Sequence, residues 1–120
     1  MRNGFGEMRC ALLPLLLLAG CSKGPETDLQ YISQARSLGF EWAMVNQLAA
    51  QGKLTGAYVR TMRESLGEQL GTTASALTQP QSQYGNEIRA LIAEPLDAPP
   101  ADLQAHAGKL KQIEDRLESD

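Results

Sequence analysis

Apolar positions along this chain form one continuous run near its start and periodic stripes thereafter. From Thr27, which suits an N-cap with Asp28 in the first turn, the residues Tyr31, Ala35, Leu38, Trp42, Val45 and Ala49 recur at alternating spacings of four and three. That spacing predicts a helix reaching Gln51. Advancing about 100° per residue puts Leu29, Phe40, Met44 and Leu48 on a second stripe nearly opposite the first. A helix apolar on two sides either sits centrally in a bundle, packed against two neighbours, or presents one side to a partner; the central position is the simpler expectation. Gly39 costs up to about 1 kcal/mol relative to Ala inside a helix and marks a close contact or a bend.

Gly52 follows the last periodic residue, where a C′ glycine belongs, and Thr55 opens the next helix, with Leu54 and Val59 placed to staple across the cap. The second helix carries Val59, Met62, Leu66, Leu70, Thr73 and Leu77 on one stripe and runs antiparallel to the first. Gly67, Gly71 and Ser75 lie four apart, a small-residue line that in so polar a segment signals local weakening or close packing in water. Gln79 and Pro80 interrupt the pattern, as a break or as the first turn of a new helix. Tyr84, Ile88, Leu91 and Ile92 predict a short third helix, stopped before Pro95. After a loop from Leu96 to Pro100, Leu103, His106, Leu110, Ile113 and Leu117 predict the last helix. Acids at its end oppose the macrodipole and predict fraying from about Arg116. The expected fold is all-α, three or four helices in an up-and-down bundle over residues 27–118, with the first helix central.

The continuous run, Ala11 to Leu18, is of a different kind. Arg2 and Arg9 precede it, and an h-region of about ten residues falls within the 7 to 15 or so of a secretory signal and short of the roughly 20 needed to span a bilayer. It closes with Leu18-Ala19-Gly20-Cys21. Here the chain resembles bacterial lipoprotein precursors, whose lipobox is a Leu, two small residues and a Cys that becomes the mature N-terminus. The resemblance covers only the first 21 or so residues. It implies cleavage between Gly20 and Cys21, removal of residues 1–20 as signal peptide, and acyl chains on Cys21 that anchor the protein without spanning the membrane. Ser22 stands where an Asp would favour inner-membrane retention, which implies the periplasmic face of the outer membrane. Met8 with Arg9 would also begin a compact signal. Residues 21–26, with Gly24 and Pro25, form a tether reaching at most about 20 Å.

Without residues 1–20 the remainder is one small domain, with nine Lys and Arg against thirteen Asp and Glu, a formal charge of −4. That balance argues against a nucleic-acid partner. Cys10 falls in the removed segment, which leaves Cys21 alone and allows neither an internal disulfide nor a thiolate metal site. His106 is the only histidine, with Asp102 one helical turn before it. A carboxylate orienting an imidazole is half of a catalytic set, but no nucleophile accompanies it, and His106 lies on the apolar stripe, so a partly buried structural histidine is the better reading. No clustered Asp pattern, phosphate-binding glycine loop or Gly-x-Ser-x-Gly elbow is present, and neither a metal nor a cofactor is expected. Small murein lipoproteins are continuous coiled coils ending in a cross-linking Lys; this chain is interrupted by Gly and Pro and ends in Asp120.

The expected function is therefore non-catalytic: a lipid-anchored envelope protein that binds another envelope macromolecule, a protein partner being possible, with Leu29, Phe40, Met44 and Leu48 as the candidate face. The alternative is a carrier of a small hydrophobic ligand held between the helices.

Overall fold

Each periodic stripe forms a helix in the computed structural model, which describes residues 25–119: α1 (Pro25–Ala50), α2 (Gly56–Ser75), α3 (Gln83–Ile92) and α4 (Pro100–Glu118). The described residues contain no strand, and the fold is an all-α, four-helix bundle. The signal segment, the lipobox and Cys21 lie outside the described residues.

Local chemistry sets the ends of the helices. α1 starts at Pro25, two residues before the expected Thr27, because a proline ring already holds the φ of a first helical residue and its missing N–H would have had no helical partner there. Glu26 and Asp28 in its first turn complement the dipole. It ends as expected at Gly52, whose φ of 71° is the left-handed conformation that costs an L side chain most. The Gly52 N–H donates to the Ala49 carbonyl at 3.0 Å and the Lys53 N–H to Leu48 at 2.9 Å, the paired bonds of a Schellman turn. Thr55 caps α2 by accepting from the Tyr58 N–H at 3.1 Å, and Leu54 and Val59 both pack into the core. Pro80 belongs to the break, and Ser82 caps α3 through the Gly85 N–H. Gly85 is required there, since a Cβ would overlap the Pro80 carbonyl.

The C-terminal helix ends at the expected residue 118. α4 continues past Arg116 to Glu118 and closes through the Ser119 N–H on the Asp115 carbonyl and the Ser119 hydroxyl on that of Arg116. Arg116 supplies a cation in the last turn and donates to Gln83 of α3 at 3.0 Å, which offsets the acids.

Successive helices are antiparallel, and α1 packs along both α2 and α4 with α3 diagonal to it. Ile32, Leu66, Leu70, Ile88, Leu91, Leu103 and Leu110 are shut off from water at the centre. The predicted stripes point inward, with Met62, His106 and Leu117 half-buried at their edges and Ile92 exposed at the end of α3. The second stripe of α1 does not. Phe40 and Met44 are exposed, Leu29 and Leu48 half-buried. α1 meets two neighbours with its first stripe alone, because Ile32, Gly39 and Ala43 are also buried and widen it.

Gly39 marks a close contact. A Cβ there would lie 3.1 Å from Leu91 of α3 and 3.2 Å from Ala107 of α4, where three helices converge. Gly67 and Gly71 face open space, so the small-residue line of α2 is not a packing seam. Opposite outcomes are expected from two glycine substitutions followed by urea denaturation. Gly39→Val should lose about 1–3 kcal/mol through overpacking, and Gly67→Ala should gain up to about 1 kcal/mol through helix propensity.

Candidate functional site

Several polar contacts join the segments of the bundle, and three of them are networks of more than one bond. At the end bearing the 51–55 turn and the 93–99 loop, Trp42 and Asn46 stand one turn apart on the inward face of α1. The Trp42 indole N–H donates to the Leu96 carbonyl at 3.0 Å, and the Asn46 amide donates to Leu96 at 3.0 Å and Ala98 at 2.9 Å. The remaining Asn46 oxygen accepts from Arg63 Nε at 2.9 Å, so this buried amide is satisfied on both sides while fastening a loop and α2 to α1.

At the opposite end Asp28 is completely buried. Its carboxylate accepts from the Thr78 N–H (2.9 and 3.1 Å), the Gln79 N–H (3.1 Å) and the Tyr84 hydroxyl (2.6 Å). Burial, and after it the hydrogen bond to Asp28 and that group's charge, push the Tyr84 phenol up to about 12 from 10.0.

The third arrangement joins α3 to α4. His106 Nδ1 lies 2.5 Å from Glu87 and its Nε2 2.7 Å from Glu94, which places a carboxylate at each ring nitrogen. Asp102, the partner expected from spacing, is exposed and makes no hydrogen bond to His106. Burial of the ring disfavours the charged form, but the hydrogen bonds from Glu87 and Glu94 and their charges outweigh it and hold the pKa above 6.5. With both nitrogens engaged, the imidazole is a cross-link between helices, as its place on the apolar stripe suggested. A further link, Arg36 Nε to Glu114 at 2.7 Å, ties α1 to α4. Among the described residues no group of His, Cys, Asp and Glu side chains is arranged to hold a metal ion.

Two surfaces combine exposed apolar side chains with room for a ligand or partner. The first is the outward face of α1, where Phe40, Met44 and Leu48 follow one another a turn apart; Phe40 is 38 % and Met44 60 % exposed. Leu29 lies about three turns from Phe40 toward the start of the helix and is half-buried, so the structure brings together three of the four candidate residues. The second surface is a pair of clefts at the Asn46 end, of about 470 and 400 Å³, which share Ala49 and Arg63. Nothing in the periodicity pointed to them. The signal that could have is Asn46, a polar residue one turn after Trp42 within a buried stripe.

Comparison of the chain with protein-family models, with characterised proteins and with solved structures gives no match.

The two raised pKa values give pH dependences of the same sign. Each proton is held more tightly in the folded chain, so each contribution is complete below the ordinary pKa and is lost as pH rises through the folded value. For His106, stability should fall from about pH 6.5 upward, and His106→Gln should flatten that slope in urea titrations across pH 5 to 8 or so. For Tyr84 the loss falls between about pH 10 and 12. Ultraviolet titration should show one phenol ionising near the upper limit, absent in Tyr84→Phe, which should also lose about 1.5–3 kcal/mol at neutral pH.

Proposed function

We propose that the chain is a small lipid-anchored protein of the bacterial cell envelope, on the periplasmic face of the outer membrane, that acts without catalysis by binding another envelope macromolecule. The anchor rests on the lipobox at Leu18-Ala19-Gly20-Cys21. Pro25 already begins α1, so only residues 22–24 separate a lipidated Cys21 from a helix, a reach of about 14 Å at most. Anchoring at that point would hold the Asp28 end of the bundle at the membrane surface and direct the Asn46 end away from it. No helix of the described residues is long and apolar enough to cross a membrane.

The observation that carries the binding role is the uncovered line of Phe40 and Met44 on α1. Its neighbours on α1 are mostly uncharged, Ser33, Ser37, Gln47 and Gln51, with two charges at the edges: Glu41, and Arg36, which is paired with Glu114. An apolar line whose charged neighbours stand only at its edge suits docking against a protein surface, where aromatic residues and Met are enriched and charge is depleted at the centre. Met adapts its shape to a partner at small cost.

Two measurements test the halves of this proposal separately. The intact mass of the protein from membranes should correspond to a chain beginning at Cys21 plus acyl chains, and Cys21→Ser should abolish that species; an unmodified mass removes the anchor. For binding, a photo-crosslinking residue at position 44 should capture one envelope component, and Phe40→Glu should reduce that capture by tenfold or so with helicity retained. Loss of the fold in Phe40→Glu would instead place this ring in the core.

A further inference from the structure

The chain carries a net charge of −3, yet between Glu41 and Glu64 it contains Lys53, Arg60 and Arg63 and no acid. The fold gathers two of these cations at the larger cleft, whose walls are Ala49, Leu54, Val59 and Leu96 and whose polar side chains are Arg60, Arg63 and Glu64. Arg63 is half-buried and its Nε is fixed by Asn46, itself locked to the 93–99 loop. Its two Nη groups make no hydrogen bond or ion pair among the described residues, and neither does Arg60, although Glu64 follows Arg60 by one turn. Leu96, 57 % exposed, stands at the mouth as an apolar side chain without cover.

We propose that this cleft binds a small monocarboxylate on an apolar chain of medium length. A guanidinium held by Nε still offers its two Nη groups as a fork, and that geometry matches the two oxygens of a carboxylate. Two Arg against one Glu leave the lining of this cleft a single positive charge, and Asp97 stands in the adjoining cleft that shares Arg63, a balance that suits a monoanion and not a phosphate dianion. The apolar walls require that the anion carry a hydrocarbon part, which would cover Leu96. A volume of about 470 Å³ lies within the roughly 300–1,000 Å³ of small-molecule sites. The ligand lies in an open cleft at one end of the bundle and not between the packed helices. This site is separate from the outward face of α1, and the proposal stands whether or not that face binds a partner.

The single Trp42 reports on the site, because its indole donates to the carbonyl of Leu96. The full 120-residue chain in phosphatidylcholine vesicles should show a saturable change of Trp42 emission with octanoate, and equilibrium dialysis of radiolabelled octanoate against the same vesicles gives occupancy independently of fluorescence. Octan-1-ol and octylamine, which share the chain and lack the carboxylate, should not saturate. Arg60→Gln removes a side chain without an intramolecular partner among the described residues and should weaken octanoate about tenfold, the value of one charge-assisted hydrogen bond. Gly56 lines the cleft and a Cβ there meets nothing within 4 Å, so Gly56→Leu should fill the site and abolish binding with the fold retained, its melting temperature no lower than that of the unsubstituted chain. No saturable octanoate in dialysis, equal binding of the alcohol or amine, or full binding by Gly56→Leu would each overturn the assignment. A peptide ending in a free Leu carboxylate that displaces octanoate at lower concentration than octanoate itself would overturn it in favour of a polypeptide terminus.

Discussion

A carboxylate without access to water is the constraint on which the rest of the bundle depends. Burying a carboxylate is costly unless donors replace the water it loses, and Asp28 is given two backbone N–H groups by the turn between α2 and α3 and a phenol by α3. Those donors are oriented only when the 76–82 segment adopts its turn and Tyr84 stands inside. The start of α1, the end of α2 and the start of α3 are thereby specified together. α3 has only ten residues, too few to be stable alone, and this is where its position is fixed. Its other end rests on Gly39 through Leu91, at a separation that a Cβ would disturb.

The far end of α1 solves the same problem with a neutral group. Asn46 has two donors and an acceptor, and it spends them on a loop on one side and on Arg63 on the other. α1 thus carries a buried polar anchor near each end, eighteen residues apart, with Ile32, Ala35, Leu38, Trp42 and Ala43 between them. An apolar stripe alone tolerates sliding of one helix along another. Two polar anchors with different partners do not, and they set the register of α2 and of the α3–α4 connection against the same helix.

What could be read from the sequence was what neighbouring residues decide among themselves. The stripes of all four helices, the Gly52 turn, the Thr55 cap and the break at Pro80 depend on contacts within a few positions, and each lies where the pattern put it. Pairings across the bundle were not legible. Asp28 reads locally as a first-turn acid, and its partners are some 50 residues away. Asp102 is one turn from His106, but the imidazole turns the other way, toward Glu87 of α3 and Glu94 just past the end of that helix. The second stripe of α1 exposes another limit: periodicity shows that Phe40 and Met44 share a side, and only tertiary packing decides whether a neighbour covers it. The clefts beside Arg63 were invisible for the same reason, since their walls come from three separate stretches of chain.

The position of Asp28 also governs how the molecule bears load. Any tension entering through the chain before Pro25 is directed along the axis of α1 and meets, within its first turn, hydrogen bonds to a turn belonging to other helices. Several bonds to one carboxylate would have to yield together before force reached the apolar core. A protein held at that end is gripped beside a carboxylate bonded to three residues of other segments, with the 51–55 turn and 93–99 loop at the opposite end of the bundle.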